Sequence, residues 1–313
     1  MKCVDGMNIR TIGLVLGVAS GILWGLMDIA SQFLLHNCQM EPPAFISLTM
    51  VITSAVLIFY CLATRPQKFF VPLRSIHSSF SLIVFGCLIL GTEVAFFSCV
   101  KGTNAATAAV LASNRPFFIM LLLCFLGSMP TIKQFLCSVM AVTGIALLVT
   151  KGNFSSLSFN AVDTLVGLGA PFFSACYTLQ SRNLIERFDP VVVMAWAMTM
   201  ATILANCYVP FWSVRLEWTT LFILAILCVS VVGHILAYLC YLLSASKINP
   251  TVTGVLETVE PLTTVILSYL LFKIALDRAM VGGAILILLA VSILGLTRHR
   301  KSAIDASAMN SKH

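Results

Sequence analysis

Apolar residues run along this chain in long blocks, separated by short polar or proline-bearing breaks. A helix needs about 20 consecutive, mostly apolar residues to cross hydrocarbon. Ten blocks meet that length: 11–35, 43–64, 80–101, 104–126, 132–150, 163–183, 190–212, 219–245, 250–272 and 279–297. The breaks carry turn chemistry, as in Glu41-Pro42-Pro43, Arg65-Pro66, Asp189-Pro190 and Asn249-Pro250. The pattern predicts an all-α polytopic membrane protein of ten transmembrane helices. Loops are short, the longest internal one being residues 65–79. The first block is too long for a signal-peptide core and reads as an uncleaved anchor.

Composition agrees. Of 313 residues, 59% are hydrophobic and 10% charged, against about 45–50% and 25% in soluble domains. Mean hydropathy is +0.99. This excludes an ordinary cytosolic enzyme, a nucleic-acid module and a disordered protein; the main solvent partner is the lipid bilayer. The 11 Cys form no C-x-x-C pair and no metal-spaced cluster with His. Most sit inside apolar blocks, as small hydrophobes do.

The net charge of +7 is an orientation signal. One set of span ends carries Lys2, Arg10, Arg65, Lys68, Arg74, Lys133, Arg182, Arg187, Lys247, Arg298, Arg300, Lys301 and Lys312. The other carries Lys101, Lys151, Arg215, Lys273 and Arg278. The richer set marks the cytoplasm and places both termini there.

The chain also repeats itself at an offset of 145 residues. Asn104, Val110, Leu111 and Pro116 match Asn249, Val255, Leu256 and Pro261. Residues 1–152 then form a first five-helix repeat, 153–300 a second, and 301–313 a short polar cytoplasmic tail. Five is odd, so the second repeat must cross the bilayer in the opposite direction. That is the build of inverted-repeat secondary transporters, whose site lies near the midplane between the halves.

Local motifs carry a family likeness over nearly the whole chain. They are Gly17-x-x-x-Gly21-x-x-Trp24-Gly25, Thr103-Asn104-Ala105-x-Thr107-Ala108, Gly233 to Tyr238, Tyr241-x-x-Ser244 and Glu260-Pro261-Leu262-Thr263. With these the chain resembles the EamA-type transporters of the drug/metabolite transporter superfamily. The resemblance implies a ten-helix transporter with cytoplasmic termini. It names no substrate, because the family handles amino acids, amines, carboxylates, nucleotide-like metabolites and drugs.

Six ionisable residues fall inside blocks: Asp28, Glu93, Arg115, His234, Glu257 and Glu260. Each is costly in lipid and is expected to face the protein interior or an aqueous cavity. Helical spacing groups Ser20, Trp24, Asp28 and Gln32 on one face of the first block. It also groups His234, Tyr238 and Tyr241 in the eighth, and Thr253, Glu257, Glu260 and Thr264 in the ninth. Thr107 and Asn114 share a face of the fourth, with Arg115 beside it. The candidate substrate-binding set is therefore Trp24, Asp28, Glu93, Phe97, Asn114, Arg115, His234, Tyr238, Tyr241, Glu257 and Glu260. Plainer readings stand beside it. Arg115 fits a structural ion pair, His234 and the aromatic rings fit packing, and Asp28 and Glu93 fit the mouth of an outer vestibule. Gly17/Gly21 and Gly282/Gly283 read as close helix packing, with a homodimer contact as the alternative.

No G-x-x-x-x-G-K-[ST] loop, H-E-x-x-H or G-x-S-x-G is present, so neither a cofactor nor a catalytic apparatus is expected. The sequence favours a non-enzymatic secondary transporter of the cell membrane, moving a small polar or amphipathic metabolite such as an amino acid or amine. Proton coupling is a possible drive. A channel-like or scaffold protein, or a membrane-embedded enzyme, are the alternatives.

Overall fold

A computed structural model describes residues 9–125, 132–150, 161–214, 219–248, 256, 259–273, 277–279, 281–290 and 293. Among them every regular element is helical. In chain order these are α1 (Ile9–Gln32), α2 (Pro42–Thr64), α3 (Pro66–Phe69), α4 (Ile76–Gly102), α5 (Ala105–Ala112), α6 (Arg115–Phe125), α7 (Ile132–Thr150) and α8 (Ala161–Gly167). They are followed by α9 (Gly169–Gln180), α10 (Arg182–Arg187), α11 (Pro190–Tyr208), α12 (Thr220–Leu227), α13 (Tyr238–Lys247) and α14 (Val259–Phe272). Between α12 and α13 the chain continues as a π-helix, Cys228–Ala237, and α1 ends in a π-turn, Phe33–Asn37.

Seven helical stretches among the described residues are long and apolar enough to cross a membrane, and Val259–Phe272 and Val281–Ala290 are shorter apolar helices. The start of the block expected at 250–272, with Asn249-Pro250, Thr253 and Glu257, lies outside the described residues, as do the flanks of the last block. The expected loop at 65–79 is largely helical instead. It holds α3 and a 3-10 turn, Val71–Arg74, and α4 already begins at Ile76.

The turn signals act as helix starts. Pro42 opens α2 and Pro190 opens α11, where the missing N–H costs no helical bond. Asn104 caps α5 by accepting from Thr107 N at 2.9 Å, and Asp189 caps α11 by accepting from Val191 N at 3.1 Å. Asp189 also pairs with Arg65, which closes α2, and lies 3.8 Å from Lys68. One carboxylate thus fastens the end of a first-half helix to the start of a second-half one.

The halves interleave. α1 packs on α13, α14 and the π segment, while α4 packs on α9 and α11. Glycines on α1 permit the first contact. A Cβ on Gly21 would lie 2.9 Å from Val259 Cβ and 3.0 Å from the backbone nitrogen of Glu260. A Cβ on Gly25 would lie 2.7 Å from Thr263 Cβ. The G-x-x-x-G face is therefore filled from within the same chain, which leaves it unavailable for a dimer. Of the second glycine pair, a Cβ on Gly282 would meet nothing within 4 Å among the described residues, whereas Gly283 packs closely: a Cβ on Gly144 would lie 2.7 Å from its carbonyl oxygen.

Candidate functional site

The fourth apolar block is not one helix. Ser113 and Asn114 separate α5 from α6, and Pro116 supplies no N–H for the carbonyl of Ala112. Asn114 is fully buried. Its amide lies 3.3 and 3.1 Å from the carbonyls of Val110 and Leu111, the last turn before the break. Its role in this structure is to satisfy the broken helix. The break sets Arg115 at the first position of α6.

From there Arg115 reaches α9. Its Nε donates to Ser174 Oγ at 3.0 Å, and its guanidinium carbon sits 5.9 Å from the centre of the Tyr177 ring. That is within cation–π range. The Tyr177 hydroxyl lies 3.2 Å from the Tyr238 hydroxyl. Tyr238 meets Trp24 edge-on at 5.5 Å between ring centres, and Tyr241 meets the same indole at 5.7 Å. Trp24 is buried. A continuous chain of polar and aromatic contacts therefore runs from α6 through α9 and α13 to α1.

The acidic residues join this chain. Asp28, one turn beyond Trp24, is fully buried and accepts from Thr264 Oγ1 at 2.8 Å. The plainer reading of a vestibule mouth is therefore not what the structure gives for Asp28. Asp28 is close enough to Glu260 and Glu93 to interact with both charges, and Tyr238 likewise with Arg115 and Glu93. His234 lies between. Its Nε2 is 3.4 Å from Glu93 Oε2 and its Nδ1 is 3.2 Å from Thr53 Oγ1. Among the described residues, Asp28 Oδ1, His234 Nε2 and Asn114 Oδ1 are buried without a hydrogen-bond partner. Unpaired polar atoms at such depth call for an explanation.

Eight of the eleven sequence-stated residues thus gather here: Trp24, Asp28, Glu93, Arg115, His234, Tyr238, Tyr241 and Glu260. Asn114 lies beside them in its helix-break role. Phe97 packs edge-on against Phe45 and Phe96 at 4.6 and 5.3 Å, inside the aromatic core. Glu257 lies outside the described residues. Within the Ser20–Gln32 stripe, Ser20 bonds back to Gly17 O, and Gln32 Oε1 accepts from Ala105 N at 2.7 Å. Only the middle of that stripe enters the site. A cleft of about 520 Å³ between α4, α8, α9 and Leu204 of α11 is lined only by apolar side chains, Cys87 and glycines. It offers nothing for a polar substrate to bond to.

The buried cluster joins α1 to α14 in a chain made of apolar spans. Comparison with known proteins matches two segments of the chain. Residues 11–150 and 163–296 each match the EamA-like transporter family. The chain belongs to that family. Like other EamA-like transporters it is a multi-pass membrane protein. An uncharacterized inner membrane transporter of Salmonella typhimurium, YicL, is 25% identical over 292 residues, covering 93% of this chain and 97% of that protein. A protein crystal structure shares the fold at a TM-score of 0.62 and 19% identity, over 92% of this chain and 97% of the other.

Three residues in contact with the cluster, Thr53, Ser174 and Tyr177, escaped the sequence reading. Thr53 and Ser174 are small hydroxyl residues inside apolar spans, a composition shared by many packing positions. Tyr177 gave a usable signal: it is one of 6 tyrosines, placed three residues after Ser174 on the same helical face.

Proposed function

We propose that this chain is a secondary transporter that moves a small metabolite across the cell membrane by alternating access. The substrate class is an amino acid, an amine or a related polar or amphipathic compound, and the coupling ion is the proton. The supporting observation is the buried cluster joining Arg115, three carboxylates and the Trp24–Tyr238–Tyr241 rings, contributed by helices of both halves. Charges held this deep in apolar spans are costly and mark substrate or ion pathways. The rings suit a cationic or flat group, the carboxylates an ammonium, and Arg115 a carboxylate, so a zwitterion satisfies all three.

In this reading the first repeat is residues 1–152 and the inverted second is 153–300. Ten spans and cytoplasmic termini follow. A single cysteine at position 305, on a Cys-free background, should be labelled only from the cytoplasmic side; labelling from outside would overturn the orientation. Arg115 and Glu260 each precede the proline of their span. We assign them as a pair across the repeat interface that substrate competes for or bridges.

The test is an unbiased metabolite comparison of cells with and without the protein, followed by flux of the hits in proteoliposomes. Saturable flux of an amine or amino acid is expected. Single-channel currents, or chemical conversion of the solute in detergent, would point to a channel or an enzyme instead.

A further inference from the structure

α2 and α4 are each long and apolar enough to cross a membrane, so residues 65–75, which join them, lie where hydrocarbon meets water. A connection that ran out into water would be polar. This one carries Phe69, Phe70, Val71, Pro72 and Leu73 between Arg65, Lys68 and Arg74. No Asp or Glu occurs in the sequence between Glu41 and Glu93.

The fold uses only part of this composition. Phe69 is buried, and its ring stacks on Trp196 of α11 at 4.9 Å. Trp196 Nε1 donates to the Phe69 carbonyl at 2.8 Å, and Arg65 is taken by Asp189 at the start of α11. These contacts fasten the segment to α11. What they leave facing outward has no partner in the fold. Ile76 is 91% exposed, and Phe70 and Phe80 are also exposed. Ile76 and Phe80 are one turn apart and share a face of α4. The Lys68 side chain is 69% exposed and comes no nearer to Asp189 than 3.8 Å. Arg74 is exposed and makes no ion pair among the described residues.

Exposed apolar side chains flanked by basic ones, at the end of two spans, fit a segment lying in the membrane interface. Acyl chains solvate Ile76 and Phe80, which water does not. Headgroup phosphates complement Lys68 and Arg74, and a headgroup with net negative charge complements them best, because the segment supplies no acid of its own. We propose that residues 68–80 form an interfacial ledge that binds an anionic phospholipid. Lys68 and Arg74 hold its headgroup phosphate, and Phe70, Ile76 and Phe80 lie among the upper acyl carbons. Since Phe69 and Arg65 tie the ledge to α11, a lipid held there also braces the seam between α2 and α11. The site is separate from the buried cluster, and its test needs no transported solute.

The test uses the full chain in nanodiscs of equal parts phosphatidylcholine and phosphatidylglycerol. A spin label at Ile76→Cys, on a Cys-free background, should be relaxed more by oxygen, which concentrates in lipid, than by a water-soluble nickel chelate. The reverse would place the ledge in water and overturn the proposal. Released into mild detergent, wild-type protein should retain phosphatidylglycerol in preference to phosphatidylcholine, read by native mass spectrometry. Lys68→Gln with Arg74→Gln should cut that preference by roughly fivefold for each basic residue removed, with unchanged elution on size exclusion. Lys133→Gln with Arg278→Gln removes the same charge from exposed positions elsewhere and should leave the preference intact. Equal losses in the two double variants, or no preference in the wild type, would reduce the effect to general attraction between a basic protein and anionic lipid, and overturn the site. Inorganic phosphate should not displace the lipid. Displacement would overturn the lipid as the occupant and assign the ledge to a free anion.

Discussion

Arg115→Ala is expected to abolish transport and to lower the yield of folded protein. The guanidinium bonds Ser174 and faces the Tyr177 ring, and it interacts with Tyr238 across to α13. Its loss removes the cation that reaches from α6 to the Tyr177 and Tyr238 rings of the cluster. Removing one member of a buried charge group typically costs about 3–5 kcal/mol, because the opposite charge stays behind. Arg115→Lys should be intermediate, since it keeps the charge and loses the planar fork. The exchange Arg115→Glu with Glu260→Arg separates two roles. Restored yield with no flux assigns the pair to substrate; restored yield and flux assigns it to structure alone. Yield is read by size-exclusion chromatography and flux in proteoliposomes. Normal yield and normal flux in Arg115→Ala would dismiss both roles.

A second large effect is expected far from any charge. Gly21→Leu should destabilise the protein severely, because one of the atoms that a Cβ would meet is the backbone nitrogen of Glu260, which no rotamer change can move. Overpacking commonly costs about 1–3 kcal/mol and more where backbones must part. Parting α1 from α14 would also pull Asp28 from Thr264, joined at 2.8 Å. Gly282→Leu is the control. Its side chain enters open space and should leave the midpoint of thermal inactivation unchanged. Equal midpoints for the two variants would show that the α1 seam is not tight.

The seven long apolar helices and the charged members of the cluster were legible in the sequence for one reason. Lipid tolerates neither broken backbone nor unpaired charge, so each leaves a mark in composition. Asp28, Glu93, Arg115, His234 and Glu260 stood out against apolar neighbours, and helical period placed Asp28, His234 and Glu260 on faces. Three things left weaker marks. Thr53, Ser174 and Tyr177 are uncharged, and their importance comes from what they meet. The partner of the α1 glycines is a tertiary fact: spacing shows a flat face, not which helix fills it. Asn114 was recognised as buried and polar, yet its amide serves the helix break that Pro116 creates, a role set by local hydrogen bonding. The eighth span departed furthest from an ideal wheel. There an i, i+4, i+7 pattern placed His234, Tyr238 and Tyr241 together, whereas the ring of His234 turns to α2 and α4, and the two tyrosines meet Trp24.

That departure comes from the π-helix over Cys228–Ala237, and it bears on how the transporter can vary over evolutionary time. In a π-helix each N–H reaches back five residues, one more than in an α-helix. A single deletion in this stretch can therefore be absorbed by tightening toward α geometry, and a single insertion is the kind of event that creates such a widening. Either would swing His234 about the helix axis relative to Tyr238 without replacing a side chain. When this chain is aligned with its relatives, a one-residue gap between 228 and 237 records a rotated helix face rather than a loop of different length.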